Sequence, residues 1–155
     1  MAGVGVLLSA YLFVPPKTTL VRRVIDGDTI ELFDGRRVRY IGVDTPELRR
    51  RVHRRWVNDP QPMAREAAEA NRELVQGRLV RLEYDAQTRD RYGRLLAYVY
   101  VDEVMVNERL LADGFGRLLI IPPDVRYADR FRQVVTEAKQ AKRGVWRDEL
   151  RMSEK

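Results

Sequence analysis

Residues 20–43 read LVRRVIDGDTIELFDGRRVRYIGV, and the fold is decided within them. Leu20 to Ile25 and Thr29 to Phe33 are rich in Val, Ile, Thr and Leu, residues that suit a pleated, half-buried surface, and Asp26-Gly27-Asp28 separates them. They read as neighbouring strands around a tight turn. Asp34-Gly35 is a hairpin signal leading into a third strand, Arg36 to Val43, which makes a three-stranded meander. Side chains alternate along a strand, so Val38 and Tyr40 share one face while Arg37, Arg39 and Ile41 share the other. Arg39 is thereby expected to point away from the core, where a surface site could use it.

Downstream, a proline-flanked loop runs through Pro62. Ala64, Ala67, Ala68, Leu74 and Val75 then follow helical spacing, with Asn71 the one polar exception in the stripe and Gly77 after the last turn, so a helix is expected over about Met63 to Gln76. Arg78 to Tyr84 and Leu95 to Val101 read as two more strands. A short helix carries Val106, Leu110 and Leu111 before Gly114, and a longer one carries Tyr127, Phe131, Val134, Val135, Ala138 and Ala141 before Gly144. Five short strands, a helix between the third and fourth, and two later helices predict an α+β chain: a five-stranded barrel of the oligonucleotide-binding (OB) kind with three α-helices. Trp146, beyond Gly144, is read as a packing residue.

Upstream, residues 3–14 (GVGVLLSAYLFV) carry no charge and lead into Pro15-Pro16. This stretch is short of the roughly 20 residues that span a bilayer, but resembles a signal-peptide core of about 7 to 15. The basic segment that normally precedes such a core is absent, and no small-x-small cleavage site is visible. Two readings stand side by side: an export or anchor segment, which would place the protein outside the cell or on its envelope, and an ordinary apolar extension of a cytoplasmic chain. The organisation read is 1–19 as apolar segment and linker, 20–147 as one barrel domain and 148–155 as a tail; 155 residues with 45% hydrophobic content support one sizeable core.

The chain carries net charge +6, and Arg49, Arg50, Arg51, Arg54 and Arg55 supply five of those six charges within seven residues. Such a concentration suits a polyanion, although a run of this kind is often only a solvated loop. Cysteine is absent, which excludes disulfides, thiolate metal sites and thiol catalysis, and the one histidine, His53, cannot by itself build a histidine-based centre.

Three turns gather charged groups: Asp26-Gly27-Asp28-Thr29, Val43-Asp44-Thr45-Pro46-Glu47 and Asp90-Arg91-Tyr92-Gly93-Arg94. Asp28, Asp44 and Glu47 offer only oxygen donors, so a cation held there should be hard, Ca²⁺ or Mg²⁺. Arg39 and Arg94 bring planar forks able to grip phosphate oxygens by paired hydrogen bonds. Each turn alone is ordinary loop chemistry.

Together they are more specific. Residues 24–32 (VIDGDTIEL), 38–47 (VRYIGVDTPE) and 90–98 (DRYGRLLAY), followed by Val106-Asn107-Glu108, resemble the staphylococcal nuclease (thermonuclease) family in order and spacing, from about Leu20 to Trp146. The resemblance implies a calcium-dependent nuclease acting on DNA and RNA and leaving 3′-phosphate and 5′-hydroxyl ends. It implies Asp28 and Asp44 as calcium-binding carboxylates, the Thr45 main-chain carbonyl as a further ligand, and Asp26 as a carboxylate supporting the metal from outside. Glu47 matches the general base or water-orienting group, Arg39 and Arg94 the arginines on the scissile phosphate, and Arg91 and Tyr92 positions that hold a neighbouring phosphate. A monomer with no obligate protein partner is expected, with membrane association through residues 3–14 if that stretch is an anchor. The alternative is a non-catalytic nucleic-acid-binding module on the same fold, against which the retained acidic residues argue.

Two departures from the family pattern stand out. Ile120 and Pro122 align where tyrosines are expected to line a nucleoside pocket. The arginine run and Trp56 replace the usual lysine-containing segment after Glu47. Its place beside that glutamate favours phosphate steering by Arg49, Arg50, Arg51, Arg54 and Arg55; Trp56 carries a ring of the type that stacks on bases.

Overall fold

A computed structural model describes residues 17–147, so the apolar stretch at 3–14 and the tail at 148–155 lie outside the described residues. Strand β1 (Thr18–Asp26) turns through Gly27-Asp28 into β2 (Thr29–Leu32), and Asp34-Gly35 leads into β3 (Arg37–Tyr40), as the meander reading expects. A short β4 (Gly42–Asp44) follows, then β5 (Arg49–Val52), β6 (Arg55–Asn58) and helix α1 (Ala64–Val75). The chain continues through β7 (Leu79–Glu83), β8 (Leu95–Val101), β9 (Val104–Met105), α2 (Val106–Ala112), β10 (Arg117–Leu119) and α3 (Ala128–Gln140), ending in a single 3₁₀ turn at Gly144–Trp146.

The strand order is β3-β2-β1-β7-β8-β9, and β3 also pairs in parallel with β8, with Val38 opposite Leu95 and Tyr40 opposite Ala97. That last pairing closes five strands into a barrel and removes the open edges a flat sheet would present. Val21, Ile30, Leu32, Val38, Val80, Ala97 and Val99 fill its interior, and Leu110, Leu111 and Phe131 of α2 and α3 pack against them. Trp146 is buried, as its reading as a packing residue requires, with Lys139 and Arg117 over its ring.

At the closing seam the fully buried Asn107 of α2 acts as a staple. Its Nδ2 donates to the carbonyls of Ile41 (2.8 Å) and Ala97 (3.2 Å), and its Oδ1 accepts from the Val99 amide (2.8 Å). The Ala97 carbonyl also accepts the Ile41 amide (3.1 Å), so the Asn107 side chain reinforces a seam where two strands meet only briefly.

Two expectations need correction. The third strand does not run unbroken to Val43; it breaks at Ile41-Gly42, and Ile41 turns inward to become buried instead of sharing Arg39's outer face. Gly42 sits at φ +82° with the Phe131 ring 2.6 Å from where a Cβ would stand, so only glycine lets α3 approach the bend. Second, the proline-flanked loop through Pro62 contains the exposed β5–β6 hairpin, turned by His53 and Arg54 at φ 44° and 67°. Two left-handed residues in a row make the hairpin turn that Asn-Gly usually signals, here formed by His-Arg. The structure adds β10, which pairs with β4 in a long-range contact that local patterning does not reveal.

Candidate active site

The Asp26–Asp28 turn is fixed from three sides. Asn71, the polar exception on α1, is fully buried; its Nδ2 donates to the Asp26 carbonyl (3.1 Å) and its Oδ1 accepts the Tyr40 hydroxyl (2.8 Å). The Tyr40 amide donates to the Asp28 carbonyl at 2.9 Å. Gly27 completes the arrangement, because a Cβ there would lie 2.6 Å from the Thr45 hydroxyl oxygen. The turn and the Thr45 segment can therefore lie against each other only because residue 27 has no side chain.

That contact brings Asp28 and Thr45 together. Asp28 is only 5% exposed, and its carboxylate is almost saturated: Oδ1 accepts the Thr29 hydroxyl (2.9 Å), and Oδ2 accepts the Thr45 amide (2.9 Å) and hydroxyl (3.0 Å). Arg39 lies 2.8 Å from Asp28 Oδ2 through Nη1, which also donates to the Val43 carbonyl (2.6 Å), while its Nη2 donates to Asp44 Oδ1 (3.1 Å). One guanidinium thus bridges the two carboxylates expected to hold a cation. Burying charges this way is tolerated because each is paired and hydrogen-bonded.

Asp26, Asp28, Arg39, Glu47 and Arg94 face one cleft of about 510 Å³, with Arg23, Arg37, Arg49 and Trp56 on its rim. Asp44 and Thr45 join it through their bonds to Arg39 and Asp28. The Arg94 Nε donates to Asp90 Oδ2 (2.7 Å), and Asp90 Oδ1 caps its own turn by accepting the amides of Tyr92 and Arg94. Although partial burial opposes it, these donors hold the Asp90 carboxyl below its usual range, so Arg94 rests on a firmly ionised anchor.

The acidic groups in the cleft are pushed the other way. Glu47 is pushed up to about 7, first by burial, then by a hydrogen bond and repulsion from Asp26 and by repulsion from Asp28. Burial also raises Asp26, with the Asp28 charge adding to it, and raises Asp44 against the opposing pull of Arg39. Asp26 and Glu47 behave as a pair of carboxyls that resist ionising together. Concentrated negative charge of this kind favours a cation.

The donor set fits a hard dication: oxygen only, from two carboxylates and a neighbouring main-chain segment. Among the described residues no group of three or more His, Asp or Glu side chains stands ready to hold a metal, so water would complete the sphere of any ion bound here.

Arg91 and Tyr92 fall in an adjoining groove of about 570 Å³, which shares Arg39 and Arg94 with the cleft. Tyr92 is well exposed, with the Arg91 guanidinium 4.8 Å from its ring centre and bonded to its hydroxyl (2.6 Å). Its apolar lining includes Ile41, Val43, Leu96, Leu119 and Ile121. Ile120 and Pro122, which align where tyrosines are expected, are not among the residues lining this groove.

The five hairpin arginines do not act alike. Arg49 lines the cleft, whereas Arg50 is tied to Asp59 (2.6 Å), Arg51 lies across from Trp56, Arg54 sits in the turn and Arg55 lies across from Val52. Sequence reasoning missed Gln61, whose Oε1 accepts the Glu47 amide (2.8 Å) while its own amide donates to the Glu47 carbonyl (3.0 Å). It also gave Asn71 no role, although a polar residue in an apolar helical stripe was the available signal.

Comparison with known proteins agrees with this geometry. Residues 37–148 match the family described as staphylococcal nuclease homologue. The chain is 41% identical over 134 residues to a thermonuclease of Staphylococcus hyicus, a match spanning 84% of this chain and 76% of that protein. It is 40% identical to a thermonuclease of Staphylococcus intermedius, across 82% of this chain and 74% of that one. An endonuclease of Bacillus subtilis (strain 168) is 43% identical over 80% of this chain, which spans only 59% of that longer relative. This chain belongs to the staphylococcal nuclease family.

Proposed function

We propose that this chain is a calcium-dependent nuclease that hydrolyses phosphodiester bonds in DNA and RNA, leaving 3′-phosphate and 5′-hydroxyl ends. The observation that carries the reading is the convergence of Asp28, Arg39, Glu47 and Arg94 on one cleft. The names of its relatives, thermonuclease and endonuclease, support hydrolysis of nucleic acid.

Asp28, Asp44 and the Thr45 carbonyl are the groups that would hold the calcium ion. When bound, it supplies positive charge to the phosphate and eases loss of a proton from the attacking water. Glu47, in its ionised form, takes that proton as the new P–O bond forms, and its raised affinity for protons suits a base working near neutral pH. The bond to the 5′ oxygen breaks, and that oxygen takes a proton from solvent. Negative charge grows on the non-bridging oxygens during the step, and Arg39 and Arg94 meet it with fixed donors already aligned by Asp28, Asp44 and Asp90. Arg91 and Tyr92 hold a neighbouring phosphate in the adjoining groove, and the hairpin arginines other than Arg50, which is tied to Asp59, steer the polyanion inward.

The protein works as a monomer in this reading. The apolar stretch at residues 3–14 would export or anchor it; no helix among the described residues is long and apolar enough to cross a membrane. Mass spectrometry of the native N-terminus decides whether that stretch is removed.

The direct test is incubation of purified protein with single-stranded DNA in calcium, in magnesium and in chelator, with the product ends mapped. Cleavage in calcium alone, with 3′-phosphate ends, is expected. Undiminished cleavage in chelator overturns the metal requirement, and binding without cleavage in calcium makes the chain a non-catalytic nucleic-acid module.

A further inference from the structure

The β5–β6 hairpin has two unlike faces. Residues directly opposite in an antiparallel pair share a face, so the register Arg49↔Asn58 and Arg51↔Trp56 places Arg49, Arg51, Trp56 and Asn58 on one side. Arg50, Val52, Arg55 and Val57 take the other. Because Arg49 and Trp56 both line the catalytic cleft, the first face is the one turned toward the chemistry.

The two faces also differ in how their charges are satisfied. On the outer face Arg50 is neutralised by Asp59. On the cleft face neither Arg49 nor Arg51 pairs with a carboxylate among the described residues. Trp56 is 67% exposed, and among the described residues no other ring or cation stacks on its indole. An indole of that size kept in water, opposite Arg51 and diagonal to Arg49 beside the proposed phosphate-binding cleft, is poorly explained by packing. It matches what a single-stranded nucleic acid needs: a flat surface for one base and cations spaced along the backbone.

We propose that the cleft face of this hairpin is a nucleotide subsite, in which Trp56 stacks on the base of an unpaired nucleotide flanking the scissile phosphate and Arg49 and Arg51 hold the phosphates beside it. The inference rests on the nuclease reading for the position of the scissile phosphate, but not for the binding itself. A base inside a duplex offers its faces to its neighbours, so the subsite engages single-stranded DNA or RNA, or the frayed end of a duplex. The reciprocal bonds between Gln61 and Glu47 close the hairpin's base on the proposed catalytic glutamate, so the platform and the reacting group are registered to each other. Of the five arginines, the two on this face are then the ones that grip the strand.

Binding measured in chelator separates this subsite from catalysis. Titration of the full chain with an oligothymidylate eight-mer should quench tryptophan emission, since Trp56 is the exposed one of two tryptophans and Trp146 is buried. Trp56→Ala should abolish the quenching and weaken binding about 10-fold, and Trp56→Phe should keep most of the affinity. Arg49→Ala with Arg51→Ala should lower the slope of log affinity against log salt by about 1.4, roughly 0.7 for each phosphate contact on a single strand, while Arg50→Ala leaves it nearly unchanged. Unchanged affinity and quenching in Trp56→Ala, or failure of the wild-type chain to bind the eight-mer, overturns the proposal. If the wild type binds and is quenched but does not cleave in calcium, the subsite stands and the nuclease reading falls.

Discussion

The Asp26–Asp28 corner and the β5–β6 hairpin lie on the same cleft and are built in opposite ways. The corner is buried and over-determined: Asn71, Tyr40 and Thr45 reach it from a helix, a strand and a loop, and every polar contact is internal. The hairpin's strands pair only with each other, and nearly all of its residues are exposed. A reaction that needs atoms fixed in place draws on groups whose freedom was removed by folding, whereas capture of a flexible polyanion needs groups still free to meet it. Precision is carried by buried polar residues here, and reach by exposed arginines.

The largest expected effect of breaking that division is on turnover. Arg94 is anchored by Asp90 and loses little packing when truncated, so Arg94→Ala should lower kcat about 10² to 10³-fold with an unchanged thermal midpoint. The paired change on the hairpin, Arg50→Ala, should leave kcat within about twofold, since the outer face touches no reacting atom and an exposed ion pair contributes little. Steady-state kinetics on a calcium-dependent DNA assay would read both; equal losses would dissolve the distinction between the regions. Arg39→Ala is a poorer probe, because it also strands the buried Asp28 carboxylate.

Stability should divide along the same line. Asn71→Leu leaves the Tyr40 hydroxyl and the Asp26 carbonyl without partners, a loss of about 2 to 4 kcal/mol, and it should lower kcat as the corner loosens. Trp56→Ala, at an exposed site, should change stability by under about 0.5 kcal/mol. Urea unfolding midpoints at matched pH decide between them.

The unequal build also explains what was legible from sequence. The barrel could be read because its strands alternate locally and its turns carry Asp-Gly signals, whereas the charged site residues were singled out by the family resemblance of three turns that are each ordinary alone. What escaped depends on contacts far apart in the chain or on backbone states without a residue signature. Ile41 leaves its strand's alternation because of a bend shaped by Phe131, 90 positions downstream. The pairing of β10 with β4 joins residues more than 70 positions apart, and the hairpin is turned by His53 and Arg54 without the Asn-Gly or Asp-Gly pair that usually marks such a turn. Asn71 and Gln61 looked like ordinary polar residues until their partners, 45 and 14 positions away, were in place.

Titration sharpens the contrast in a smaller way. The folded-state proton affinity of Glu47 is raised from a reference of 4.5 to about 7. Between those values the folded chain holds a proton that the unfolded chain releases, so the stability this group contributes is present at low pH and is lost as pH rises through that window. In chelator, the thermal midpoint of the wild type should therefore fall between pH 5 and pH 8 more steeply than that of Glu47→Gln. Asp26, raised chiefly by burial, leaves part of the slope in both proteins. Identical slopes in the two proteins would show that Glu47 ionises freely.

The smallest effect is expected at the joint between the two regions. Gln61 holds Glu47 by two bonds, of which only the one to its side-chain Oε1 can be removed by mutation; the main-chain bond at 3.0 Å stays. Loss of one such bond is worth about 1 kcal/mol, so Gln61→Ala should speed hydrogen exchange of the Glu47 amide and the hairpin's paired amides about fivefold and leave Asp28 and Tyr40 unaffected. If the joint registers the platform to the base, KM for an oligonucleotide should rise by a similar factor while kcat holds, because the corner that orients the reacting groups is fastened independently by Asn71. A fall in kcat with unchanged KM would mean that Gln61 positions Glu47 alone, and that the hairpin is free to find its own place over the cleft.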